Sequence, residues 1–187
     1  MTSTNTIDAA SRLPSDINGV AVCYLCLDGG DESGQPLRRD CACRGTDAGF
    51  VHLSCLTDYA EIKSMQSNDV IEFCDPWTVC PSCHQEYQNK LAIDIANKFV
   101  PFVRRQYLDD TRRQVASLNL KLSAFDSMFD RLQPRQKSEA GVTANVLLSL
   151  IDRMKHDAPP LSKRYSEIGA NAHGFHGRWF NAREVAT

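Results

Sequence analysis

Cys41-Ala42-Cys43-Arg44-Gly45-Thr46-Asp47-Ala48-Gly49-Phe50-Val51-His52-Leu53-Ser54-Cys55 is the stretch on which the reading of this chain turns. It holds a Cys-x-Cys pair and, after eight intervening residues, a His-x-x-Cys pair. Working outward, Cys23-x-x-Cys26 precedes it and Cys80-x-x-Cys83 follows it. Eight ligands in four close pairs are what two tetrahedral zinc ions require. A short spacer lets both side chains of a pair turn inward from one tight loop, so each pair supplies half a site. Thiolate and imidazole donors select zinc over magnesium or calcium, which take oxygen. His52 counts as a ligand and not as a buried core imidazole because it completes the eight and sits at pair spacing from Cys55. Four ligands per metal leave no open position for water, so both ions are expected to be structural and not catalytic.

All eight cysteines of the 187-residue chain lie between Cys23 and Cys83, and none follows. The eighth thiol, Cys74, sits too far from Cys80 to form a pair and is expected to be free. His173-x-x-His176 has no neighbouring ligands and is discounted. The start of the chain lacks the basic-then-apolar pattern of a signal peptide, and no apolar run is long enough to span a bilayer. A soluble protein of the cytoplasm or nucleus is therefore expected, neither secreted nor transmembrane. In those compartments thiols stay reduced and available for metal.

Charge divides the chain as the cysteines do. Residues 1–90 carry 13 acidic and 6 basic side chains, a balance of −7, and residues 91–187 carry 10 and 15, a balance of +5. Neither half has the concentrated basic patch of a nucleic-acid binder. The expected organisation is a disordered lead-in over 1–18, a zinc-stabilised domain with little regular structure over 19–88, an all-α region over 91–156 and a tail over 157–187. Within the zinc domain, Leu53, Leu56, Tyr59 and Ala60 predict one short helix after His52. Ile95, Phe99 and Phe102 form an apolar stripe that Pro101 is expected to kink or end. Val115, Leu118, Leu122, Phe125, Phe129 and Leu132 form a stronger stripe. Asp109, Asp110 or Thr111 would cap it and Pro134 would close it. Val142, Val146, Leu150 and Met154 predict a last helix over 139–156. Two such amphipathic helices make a helical hairpin, the unit of helical-repeat arrays, although no second copy recurs at a fixed period.

The quoted stretch resembles the RING-CH (RING-variant) zinc finger of ubiquitin ligases, in particular Cys41-x-Cys43-Arg44-Gly45, Phe50-Val51-His52 and Cys55-Leu56. The resemblance covers about residues 20–88 and implies a cross-brace. Cys23, Cys26, His52 and Cys55 would hold one zinc, and Cys41, Cys43, Cys80 and Cys83 the other. It further implies a protein that binds a ubiquitin-conjugating enzyme charged with ubiquitin and orients transfer to a substrate lysine, with no covalent intermediate of its own. That is catalysis by proximity. The implied contact residues are Leu25, Trp77, Pro81 and His84, and the helical region would recruit the protein substrate. Two positions depart from the family pattern. Tyr59 stands where many members have tryptophan, and His84 stands where a lysine or arginine often clamps ubiquitin. A PHD-type chromatin reader shares the ligand order, but places its histidine closer to the fourth cysteine and its tryptophan closer to the seventh. The other alternative is a non-catalytic zinc-stabilised interaction scaffold.

Overall fold

The structure is a computed structural model that describes residues 21–29, 36–39, 41, 43 and 49–157. The expected lead-in over 1–18 and the tail beyond 157, with His173 and His176, lie outside these residues. The regular elements are β1 (Leu37–Arg38), β2 (Val51–His52), α1 (Leu53–Met65), α2 (Val70–Thr78), α3 (Asn89–Gln106), α4 (Thr111–Asp126) and α5 (Pro134–Asp157). A cross-brace segment thus leads into a mostly helical chain, as expected. The strands pair antiparallel, Leu37 opposite His52 and Arg38 opposite Val51.

Sequence reasoning missed α2, although its start carries a legible signal. Asp69 caps the helix, its carboxylate accepting from the N–H of Ile71 at 2.7 Å and of Glu72 at 3.1 Å. An Asp followed three residues later by Glu is a helix-start pattern. The internal Pro76 obscured it.

Three further expectations are corrected. Pro101 does not end α3, which continues to Gln106. Phe99, Phe102 and Val103 are all buried around it, and that burial outweighs one lost backbone hydrogen bond. Pro134 opens α5 and does not close α4. Proline is favoured at a first helical position, where its missing N–H would be unpaired anyway. The N–H of Gln133 is satisfied by the Gln136 side chain at 3.0 Å. Val142 is 62% exposed, and the buried stripe runs through Ala140, Thr143, Ala144, Leu147, Leu150, Ile151 and Met154. Small side chains on that stripe let α5 approach α4 closely, a preference that a search for large apolar residues overlooks.

Two cores share α3. One face of it, with Ile93, Ala96 and Val100, packs with Val115, Leu118, Leu122 and Phe125 of α4 and with α5. The other face, with Leu91, Ile95, Phe99, Phe102 and Val103, packs with Phe73, Trp77, Leu56 and Cys80 of the cysteine-rich segment. Trp77 and Phe99 stack with ring centroids 4.7 Å apart, and Phe73 lies 5.6 Å from Phe99. Arg113 of α4 adds a second tie. Its guanidinium sits 4.8 Å from the ring centroids of both Phe73 and Tyr107, and donates to the Asn68 carbonyl at 3.2 Å.

Asp110 is the cap that α4 uses, its carboxylate accepting from the Arg113 N–H at 3.0 Å and pairing with the Arg113 guanidinium. Burial works against the charge, but the Arg113 N–H and guanidinium outweigh it and hold the carboxyl below its usual 3.8. Because the folded-state pKa is depressed, the stabilisation is complete above about 4 and disappears only as pH falls through the folded value. Asp110→Ala is expected to cost about 1–2 kcal/mol. Melting curves at several pH values check this: the loss should be constant between about pH 6 and 8, because Asp110 does not titrate there. A loss that varies across that window would contradict the assignment.

Candidate metal centres

Each outer pair sits in a tight loop closed by its own backbone. In the first, Val22 bridges to Gly29, the Cys23 N–H donates to Asp28 O at 2.9 Å, and the Leu27 N–H donates to Cys23 O at 2.8 Å. The second repeats this pattern. Val79 bridges to Glu86, the Cys80 N–H donates to Gln85 O at 2.9 Å, and the His84 N–H donates to Cys80 O at 2.9 Å. The residue after the second cysteine is left-handed in both, with φ of 67° at Leu27 and 55° at His84. A non-glycine residue there is costly, so the loop is held by what surrounds it.

The third pair comes from a strand-to-helix junction. His52 ends β2 and is the N-cap residue of α1, which puts Cys55 in the first helical turn beside it. Thiolates at a helix N-terminus face its unpaired N–H groups and the positive end of its dipole. The His52 N–H itself lies 3.5 Å from the Cys23 sulfur. The second pair depends on Gly49, whose φ is +82°. A Cβ there would meet the Cys43 Cβ at 2.8 Å and the Cys41 sulfur at 3.1 Å, so only glycine fits.

These elements gather the ligands into two groups. Cys23, Cys26, His52 and Cys55 form one, and Cys41, Cys43, Cys80 and Cys83 the other, with all ligand atoms of a group within 4.8 Å of one another. The pairs interleave along the chain, as a cross-brace requires. Tetrahedral zinc with Zn–S bonds of about 2.3 Å has edges of about 3.8 Å, slightly shorter where nitrogen replaces one sulfur. The Cys43 and Cys80 sulfurs are 3.7 Å apart. The Nδ1 of His52 is 3.3 Å from the Cys26 sulfur and 3.8 Å from that of Cys55. The donor chemistry and these edges fit two structural zinc ions. Once bound, zinc supplies fixed loop geometry, and the full ligand sets leave it no place for a reacting water.

Two aromatic hydroxyls complete the surroundings of the second group. Tyr24 and Tyr87 bury their hydroxyls without a hydrogen-bond partner. Burial first, and then the nearby thiols of Cys80 and Cys41, hold both well above the usual tyrosine pKa, with Tyr87 adding to the effect on Tyr24. They stay protonated, as suits groups next to a four-thiolate centre. Nothing in their spacing marked them beforehand.

The expected partner-contact residues divide. His84 is exposed, and Leu25 and Pro81 are partly exposed beside the metal loops. Trp77 is 1% exposed. Its indole stacks on Phe99 and donates to Ser64 Oγ at 2.7 Å, and Ser64 Oγ in turn donates to Phe73 O. Trp77 is therefore a core residue, which corrects the expectation that it forms a contact surface. Leu27, which sequence reasoning passed over, is 59% exposed on the first metal loop. Cys74 belongs to neither group, and burial pushes its thiol pKa up to about 12. Among the described residues no helix is long and apolar enough to cross a membrane.

No curated protein and no solved structure matches the chain. Residues 23–83, the segment that carries both centres, match the family model of the RING-variant domain.

Proposed function

We propose that this protein is a RING-type ubiquitin-protein ligase working in the cytoplasm or nucleus. It would bind a ubiquitin-conjugating enzyme through the metal loops and orient its ubiquitin thioester towards a substrate lysine. The observation that carries this reading is the pair of interleaved four-ligand centres within the segment that matches the RING-variant domain. Such centres hold loops rigidly, and rigid apolar groups lose little entropy when a partner covers them. Leu25 and Leu27 on the first loop and Pro81 on the second are the apolar groups so placed. His84, exposed on the second loop, would meet ubiquitin. The chain's own contribution is to bind and orient, because transfer from a thioester to a lysine needs no further covalent chemistry from the ligase.

The test is autoubiquitination by the full chain with a panel of ubiquitin-conjugating enzymes. Activity is expected with at least one of them. Leu25→Ala should lower it about tenfold or more, the range of an interface hot spot, while zinc content stays at two per chain. His84→Arg should raise activity. No activity with any enzyme would return the protein to the scaffold reading. Activity unchanged in Leu25→Ala and in Leu27→Ala would defeat the interface assignment.

A further inference from the structure

A groove of about 650 Å³ lies between α2 and α4 and reaches Glu86 and Tyr87 beside the second metal loop, within the size range of ligand-binding clefts. Cys74 and the exposed Ile71 form the wall on the cysteine-rich side, and Ala116 and Leu120 of α4 the opposite one. Ile71 is exposed and Cys74, Ala116 and Leu120 are partly exposed, so apolar surface on both walls is open to solvent. The rim is acidic. Among the described residues, Asp69, Asp75 and Glu86 border the groove, all exposed, against Arg112 alone.

From this charge and surface we infer that the groove docks a peptide segment of a partner protein, with apolar side chains that enter the cleft and lysine or arginine residues that flank them. Apolar anchors remove Ile71, Ala116 and Leu120 from water, and the flanking cations meet the three rim carboxylates, which favours encounter and selects against acidic partners. One wall belongs to the segment holding the metal centres and the other to the helical hairpin, so a docked peptide is held at a set distance from the metal loops. Calling that peptide a ubiquitination substrate rests on the ligase reading, whereas its docking does not.

Fluorescence anisotropy on the full zinc-loaded chain tests the docking without any ubiquitin enzyme. The probes are two labelled synthetic peptides that share one leucine-rich centre, flanked by lysines in one and by glutamates in the other. The lysine-flanked peptide should bind, and more weakly as salt is raised. The double variant Asp75→Lys, Glu86→Lys should weaken it about tenfold and admit the glutamate-flanked peptide. Ala116→Phe, which fills the cleft without altering charge, should abolish binding while far-UV circular dichroism and zinc content stay unchanged. Equal binding of both peptides, binding of neither, or binding that survives Ala116→Phe would overturn the inference. Binding seen only after Trp179→Ala and Phe180→Ala would overturn it too, by giving the groove to the chain's own C-terminal segment. Because activity is not the readout, peptide binding can fail while the ligase reading stands, and the reverse.

Discussion

Chelating both zinc ions should unfold the chain in a single transition, with the C-terminal helices included. The division of the sequence at residue 90 suggests the contrary, that helices over 91–154 would survive zinc removal. Packing argues against survival. Leu91, Ile95, Phe99, Phe102 and Val103 of α3 are each 1% exposed or less, all packed against the segment that the zinc ions organise. At about 1.5–3 kcal/mol for each large apolar side chain, this face represents on the order of 10 kcal/mol. That is as large as the whole stability of a typical domain. Structural zinc contributes on the order of 10–16 kcal/mol per site at neutral pH, so its removal takes the cysteine-rich core away altogether. What remains is a three-helix unit with one apolar face of α3 in water. The measurement is titration with a strong chelator at neutral pH, following far-UV circular dichroism and the fluorescence of Trp77 in a Trp179→Phe background. Coincident loss of both signals is expected. Helical signal that persists after Trp77 has become solvated would show that α3 to α5 fold alone.

Trp77→Ala should be the most damaging single substitution outside the metal ligands. Truncating a buried tryptophan costs about 3–5 kcal/mol in lost transfer energy and residual cavity. Here it also removes the stack on Phe99 and leaves Ser64 Oγ, which is fully buried, without the indole donor. Trp77→Phe should recover part of the stacking and none of the hydrogen bond, and so fall between the two. Urea unfolding monitored by circular dichroism resolves the series. Leu25→Ala, at a partly exposed site, should cost less than about 1 kcal/mol on the same scale. A Trp77→Ala midpoint equal to that of the wild type would mean that the indole is not a core element. The contrast also guards the ligase assay, since lost activity in Trp77→Ala reports unfolding and not a lost contact.

Local pattern made the metal chemistry legible. Ligand pairs are set by spacings of one or two residues, and the donor types select zinc whatever lies around them. The odd status of Cys74 followed from the same spacing. Long amphipathic helices were legible for a related reason, as their period repeats over several turns. Their ends were less so, because Pro101 and Pro134 carry opposite meanings inside a buried helix and at its first position. The short α2 escaped notice because nine residues with an internal proline repeat no period. The burial of Trp77 was beyond local reading altogether. Whether an indole beside a metal loop faces a partner or a core depends on where α3 lies, and α3 begins twelve residues later at Asn89.

The sequence by itself determined that two zinc ions would be held by seven cysteines and His52, and that helices would follow. Those properties reside in residue type and short spacing. Tertiary structure alone decided that the two halves share α3, that Trp77 and Arg113 join them, and that a groove opens between α2 and α4. Each of these depends on side chains brought together from distant parts of the chain. One α3 face is apolar toward the metal-bearing segment and the other toward the hairpin, a division that a single apolar stripe in the sequence does not reveal.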